Sequence, residues 1–202
     1  ITKKDLQALK IKSQNFIYLS KKINDNFNVS LQAFATGFQK PSTKSTIYIK
    51  GTYGLYLNYK QGIWAAKANG FYQHGKNSSG KKVSAYFAHL KGEVRPKPFI
   101  ITAGVDYHSG HDQAKGNENY QATDHFFDLF YGVRHRYYGY MDLFENLSKA
   151  SDNGGLIDAY SGFGAIIKEK FQLMLDFHYF SLQSRVKDPF SEENIMDKLS
   201  NF

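Results

Sequence analysis

The sequence predicts an all-β protein: an antiparallel up-and-down transmembrane β-barrel, of which about eight strands are present, with one long loop folding inward. Three observations predict it. Apolar residues recur at every second position over most of the chain. Tight turns alternate with longer polar connections. No apolar run approaches the roughly 18 residues that a membrane-crossing helix needs, although Phe and Tyr are abundant.

The strands follow in order along the 202 residues. Residues 13–22 form the first. In 27–38, Phe27, Val29, Leu31, Ala33 and Ala35 face one way and Asn28, Ser30, Gln32 and Thr36 the other. In 45–59, Ile47, Ile49, Gly51, Tyr53, Leu55, Leu57 and Tyr59 oppose Tyr48, Lys50, Thr52, Gly54, Tyr56 and Asn58. Residues 63–74 and 82–94 read as strands with less distinct faces. In 98–108, Phe99, Ile101, Ala103, Val105 and Tyr107 oppose Thr102, Gly104, Asp106 and His108. In 156–167, Ile157, Ala159, Phe163, Ala165 and Ile167 oppose Asp158, Tyr160, Gly162 and Gly164. In 171–179, Phe171, Leu173, Leu175, Phe177 and Tyr179 oppose Gln172, Asp176 and His178. A two-residue period places each set on its own side of a pleated strand.

Tight turns are expected at 23–25, 60–62, 95–98 and 168–170, and longer polar loops at 39–44, 75–82, 109–124 and after Ser184. Short turns at one end and long loops at the other are the mark of an up-and-down barrel. Strands of this length, an apolar face and aromatics near the strand ends add the membrane. Tyr59, Trp64 and Tyr72 stand where an aromatic girdle would need them. Strand parity puts residues 109–155 on the long-loop side. That is too long for an ordinary connection and too rich in Phe and Tyr for disorder. The loop is therefore expected to pack into the barrel mouth as an extracellular constriction. The chain, 1–202, reads as one domain belonging to a larger barrel, with its early and last strands elsewhere. The N-terminal stretch "ITKKDLQALK" has no apolar core and is not a signal peptide.

Net charge is +8, which favours an acidic partner. Cysteine is absent, so disulfides and Cys-ligated metals are excluded. The expectation is no enzyme, no cofactor, no metal and no nucleic-acid partner. "GKNSSGKK" (75–82) falls short of a phosphate loop, because Lys82 stands where Ser or Thr is required and a strand follows. "DYHSGHD" (106–112) gathers Asp106, His108, His111 and Asp112, but a solvated loop start is the simpler reading than a metal site. The same holds for Asp124, His125 and Asp128. Lys50, Lys67 and Lys91 point from strands toward the lumen, where cations would concentrate anions. Arg134 and Arg136 could grip carboxylates in a bidentate fork, or could pair with Asp124, Asp128 or Asp142 and hold the loop.

The block "FFDLFYGVRHRYYGYMDLF" (126–144) resembles one in the alginate-export porin family of Gram-negative outer membranes, in its Bacteroidetes-type branch. The resemblance rests on Phe127, Phe130, Tyr131, Gly132, His135, Tyr138, Gly139, Met141, Asp142 and Phe144. The flanks "GVDYHSG" (104–110) and "LDFHYFSLQ" (175–183) are similar to that family too. It implies a monomeric barrel in the bacterial outer membrane, with passive export or uptake through a basic, loop-constricted pore. Small anions or acidic polysaccharide would be its cargo and the lipid bilayer its partner. Arg134, His135, Arg136 and Tyr138, with Lys50, Lys67 and Lys91, would line the pore. Two other readings remain open: a non-transporting barrel that docks another outer-membrane protein, and a soluble β-barrel that binds acidic glycans.

Overall fold

The computed structural model describes residues 11–40, 43, 46–129, 144, 146–168, 170–187 and 195–196. Arg134, His135, Arg136 and Tyr138 lie outside them. One antiparallel sheet dominates. It contains β1 (Ile11–Asn24), β2 (Phe27–Gln39), β3 (Ile47–Gln61), β4 (Trp64–Lys76), β5 (Lys82–Val94), β6 (Phe99–His108), β8 (Leu156–Ile167) and β9 (Phe171–Leu182), each hydrogen-bonded to the next in that order. These are the eight strands the alternation predicts. β7 (Thr123–Asp124) pairs in parallel with the start of β5. Two short helices, α1 (Glu118–Gln121) and α2 (Leu147–Ala150), sit in the connection from β6 to β8. β10 (Val186–Lys187) and β11 (Ile195–Met196) form a separate ribbon. The sheet is open: β1 and β9 are its edges among the described residues. The all-β, up-and-down architecture is therefore present, without closure into a barrel.

Local chemistry sets the turns. Gly62 has φ +55° in the two-residue turn between β3 and β4, a conformation only glycine adopts at little cost. The hairpin between β4 and β5 is held by Asn77, whose Oδ1 accepts from the amides of Ser79 and Lys81. A strand follows it, as "GKNSSGKK" predicted. Asn117 and Asn146 cap α1 and α2 by accepting from Tyr120 N and Lys149 N.

The two faces of the sheet are inverted relative to a water-soluble fold. One face carries Leu31, Ile49, Tyr53, Leu55, Trp64, Leu90, Ile101, Phe163, Leu173, Leu175 and Phe177, all exposed; Leu175 is 71% and Phe177 68% exposed. The opposite face carries Ser30, Thr36, Lys50, Thr52, Gln73, Thr102, Asp106, His108 and Asp158, all buried. Cross-strand register keeps this division: Thr36, Lys50 and Gly75 align in one row, and His89, Asp106 and Asp158 in another.

The faces of β4 and β5 are indistinct in sequence for a structural reason. The covered face of β5 is apolar at its start (Val83, Ala85, Phe87) and polar after that (His89, Lys91, Glu93). Its exposed face also mixes Ser84, Tyr86 and Leu90 with Ala88 and Gly92.

The apolar core lies on the inner face, under the long connection. Val83, Ala85, Phe87 and Phe127 form one buried cluster, with Phe71 and Leu129 against it. Phe144, Leu147 and Leu156 form another, joined by Phe126, Leu129 and Phe180. The connection thus folds onto the inner face at the long-loop end.

Candidate functional site

Among the described residues, charged groups, aromatic rings and a docked segment meet on the inner face. Toward the tight turns one register row crosses the sheet: Asn58, Lys67, Lys91, Gly104, Tyr160 and His178. Lys67 and Lys91 stand directly opposite each other. Like charges opposed across strands repel. Gly104 has a packing reason: a Cβ there would lie 2.4 Å from the ring end of Tyr160 and 2.7 Å from the Leu90 carbonyl oxygen. Its absence lets the Tyr160 ring lie across β6. That ring stacks on His178 at 5.4 Å.

The next row is Tyr56, Asn69, His89, Asp106, Asp158 and Phe180. Asp106 and Asp158 are both buried and face each other. Each has its own histidine: His89 Nδ1 bonds Asp106, and His178 Nδ1 lies 3.0 Å from both oxygens of Asp158. On this face lysines lie on β3, β4 and β5, and carboxylates lie on β6, β8 and β9, with Asp176 exposed on the last and Glu93 of β5 paired with Arg95.

The predicted inner-face lysines share that face but not one environment. Lys67 is exposed and Lys91 half-buried on open wall. Lys50 is buried beneath the connection, 2.6 Å from an Asp128 oxygen. It holds the segment down rather than lining free space. Asp106 is likewise taken up by His89.

Residues 123–129 explain how the connection reaches the wall. β6 ends opposite Phe87, which leaves the first residues of β5 with a free edge. β7 pairs with that edge, and His125 Nδ1–H continues it by donating to the Ser84 carbonyl at 3.0 Å. The chain then turns over the inner face. Phe127 packs on Val83, Ala85 and Phe87. The Gln73 side chain on β4 donates to the Asp128 carbonyl and accepts from the Asp128 amide, both at 2.9 Å. Behind it, Ser109 Oγ donates to the His125 carbonyl, and Asn77 donates to Asp124. Asp124 and Asp128 thus find partners in Asn77 and Lys50.

His111 and His125 stack with Tyr120, the His125 ring 4.0 Å from the tyrosine. Burial pushes the His125 imidazole below its ordinary value and the Tyr120 phenol above it. Asp112 of the "DYHSGHD" stretch pairs with Arg185 at 3.2 Å. Among the described residues no group of three His, Asp or Glu side chains could hold a metal.

Sequence reasoning put His178 on the polar face of its strand but missed Gln73 and His89. Strand parity could have found His89, two positions from Lys91. Nothing in sequence marks Gln73, whose role exists only once residue 128 arrives. Family models, curated proteins and solved structures, compared with this chain, gave no match.

Proposed function

We propose that this sheet is wall from an outer-membrane β-barrel of the porin type, passing small or anionic solutes through a narrowed, basic pore. One observation carries the reading: the apolar face is exposed along the sheet, while polar groups on the other face are buried where the connection docks. In water, exposing that many Leu, Ile, Phe and Tyr side chains would cost on the order of 25 cal/mol per Å² of apolar surface. In a bilayer the same face is satisfied. Aromatics support it. Tyr53, Tyr72, Tyr86 and Tyr107 run across β3–β6 toward the long loops, and Tyr59, Trp64, Phe99, Phe163 and Phe171 lie toward the tight turns. Six to eight residues separate Tyr53 from Tyr59 and Trp64 from Tyr72, about 20–26 Å along a strand at roughly 3.3 Å per residue. That spacing suits the two interfaces of a hydrocarbon layer crossed by tilted strands.

The mechanism is size exclusion with electrostatic selection and no bond chemistry. The segment 124–129 narrows the lumen. Lys67 and Lys91 raise the local concentration of anions beside it. Arg134 and Arg136, on the same connection, add to the constriction. Acidic polysaccharide is the cargo that the resemblance to alginate-export porins suggests.

The test is single-channel recording in planar bilayers. Lys67→Glu with Lys91→Glu should lower anion over cation selectivity several-fold, and Arg134→Ala with Arg136→Ala should lower it further. Unchanged selectivity in all four positions removes the anion assignment. A folded, bilayer-inserted protein without conductance favours a docking role.

A further inference from the structure

Segment 124–129 is held down by one set of contacts and opposed by another. Holding it are the two Gln73 hydrogen bonds, the Lys50–Asp128 ion pair and the packing of Phe127. Opposing it are four buried polar atoms without a hydrogen-bond partner among the described residues: Thr52 Oγ1, His108 Nε2, His111 Nδ1 and His125 Nε2. All four lie around this segment. Thr52 is the register partner of Gln73. The His108 ring, fully buried, lies 4.9 Å from Phe126 and 5.6 Å from Phe127. His111 stacks 5.8 Å from His125.

The hydrogen bonds fix the tautomers. The Ser84 carbonyl can only accept, so His125 carries its proton on Nδ1 and Nε2 is a bare lone pair. Gln121 donates both amide bonds to the Asp112 and Lys115 carbonyls. Its oxygen therefore accepts from His111 Nε2–H, and Nδ1 is bare. His108 Nδ1–H faces the Ser109 carbonyl, which leaves Nε2 bare. Each such atom raises the energy of the docked form, and water satisfies it once the segment lifts.

We propose that residues 124–129 form a gate over the inner face, latched by Lys50 and Gln73 and opened by acid, on the reading of this wall as a pore lining. Docking removes the water that would solvate a protonated His125 ring, so at His125 the docked form resists protonation. Burial already holds the His125 imidazole below its ordinary value. The sign follows. A group whose pKa is depressed when docked takes up protons preferentially when undocked. Docking is thus favoured above the ordinary imidazole range and is lost as pH falls below it. The charged surroundings are mixed, and Asp124, whose partner Asn77 is neutral, favours a protonated His125 without outweighing burial. Near His125 stand Asp124 with Asn77, Asp112 with Arg185, Lys115 over the Tyr120 ring, and Lys82 beside β7. On the wall by His108 stand Asp106 with His89 and Asp158 with His178, and Lys50 with Asp128 lies under the segment.

The test uses the absence of native cysteine. Ala85→Cys places a thiol under Phe127, where the wild-type side chain is fully buried. Ser79→Cys, on the exposed hairpin, serves as reference, and Thr52→Cys is a near-isosteric second reporter. Protein in lipid vesicles is labelled with a charged thiosulfonate at about pH 7.5 and about pH 5.5, on either side of the imidazole range. The labelling ratio of Ala85→Cys to Ser79→Cys should rise with acid, by up to about tenfold per pH unit for each histidine linked to opening. His125→Asn keeps a donor for the Ser84 carbonyl but cannot titrate, and should blunt the rise. Asp128→Asn should raise the ratio at the higher pH. A ratio independent of pH at both reporters overturns the gate. Labelling needs no conduction, so the two readings fail separately: an acid-dependent ratio without channels removes the pore, and channels with a flat ratio remove the gate.

Discussion

Replacing Gln73 by Leu should release the docked segment without unfolding the sheet. Gln73 is fully buried, and its amide acts as a peptide-like partner to both the N–H and the C=O of Asp128. Leu is similar in size and leaves both backbone groups unsatisfied while the segment remains docked. Each costs about 1–3 kcal/mol, and Leu recovers part of this by apolar contact with Phe127, so the net shift is about 2–4 kcal/mol. At about 1.4 kcal/mol per tenfold, protection against hydrogen exchange at Asp128 should fall on the order of 30- to 700-fold. The assay is exchange mass spectrometry on a peptide spanning 124–129, with a β6 peptide as internal standard. Gln73→Glu keeps the acceptor and loses the donor, and should give roughly half the shift in free energy. Unchanged protection in Gln73→Leu, with β6 also unchanged, would refute this account of what holds the segment.

Other outcomes follow from the same geometry. Leu175→Arg places a charge on the exposed apolar face. It should cost about 2–4 kcal/mol in denaturant unfolding from bilayers, where a water-exposed site would lose less than about 0.5 kcal/mol. Gly104→Val should cost about 1–3 kcal/mol, because its Cβ meets the Tyr160 ring end and the Leu90 carbonyl oxygen. It should also displace Tyr160 from His178, which a shift in the His178 ring resonances would report.

Much of the sheet was legible because parity alone writes it. β3, β6, β8 and β9 each keep one side mostly apolar, with Ile100, Leu156 and Met174 among the exceptions on the other, so one face announces itself. β4 and β5 were harder. Their inner face is apolar where the segment docks and polar beyond it, and Ala66, Ala68, Gly70 and Ala88 dilute the outer one. Parity and Phe and Tyr content led to the expectation that the long connection packs inward, and its described residues 123–129 lie against the polar face. Its anchors did not. Lys50 looks like any lumenal cation until Asp128 arrives from 78 residues away, and Gln73 contacts Asp128 across 55. The Asp106–His89 and Asp158–His178 pairs likewise depend on cross-strand register, which alternation within one strand does not set.

The central claim is that one face of this sheet meets lipid and the other meets water. β9 tests it most directly, because residues 171–177 are exposed along their length. Single nitroxide labels at positions 172 to 177, in lipid bilayers, would be relaxed by dissolved oxygen and by a water-soluble nickel chelate. The account predicts a two-residue period: oxygen dominates at 173, 175 and 177, and the chelate at 172, 174 and 176. Equal access of the chelate to all six positions, or a folded protein that stays in solution without lipid or detergent, would contradict it.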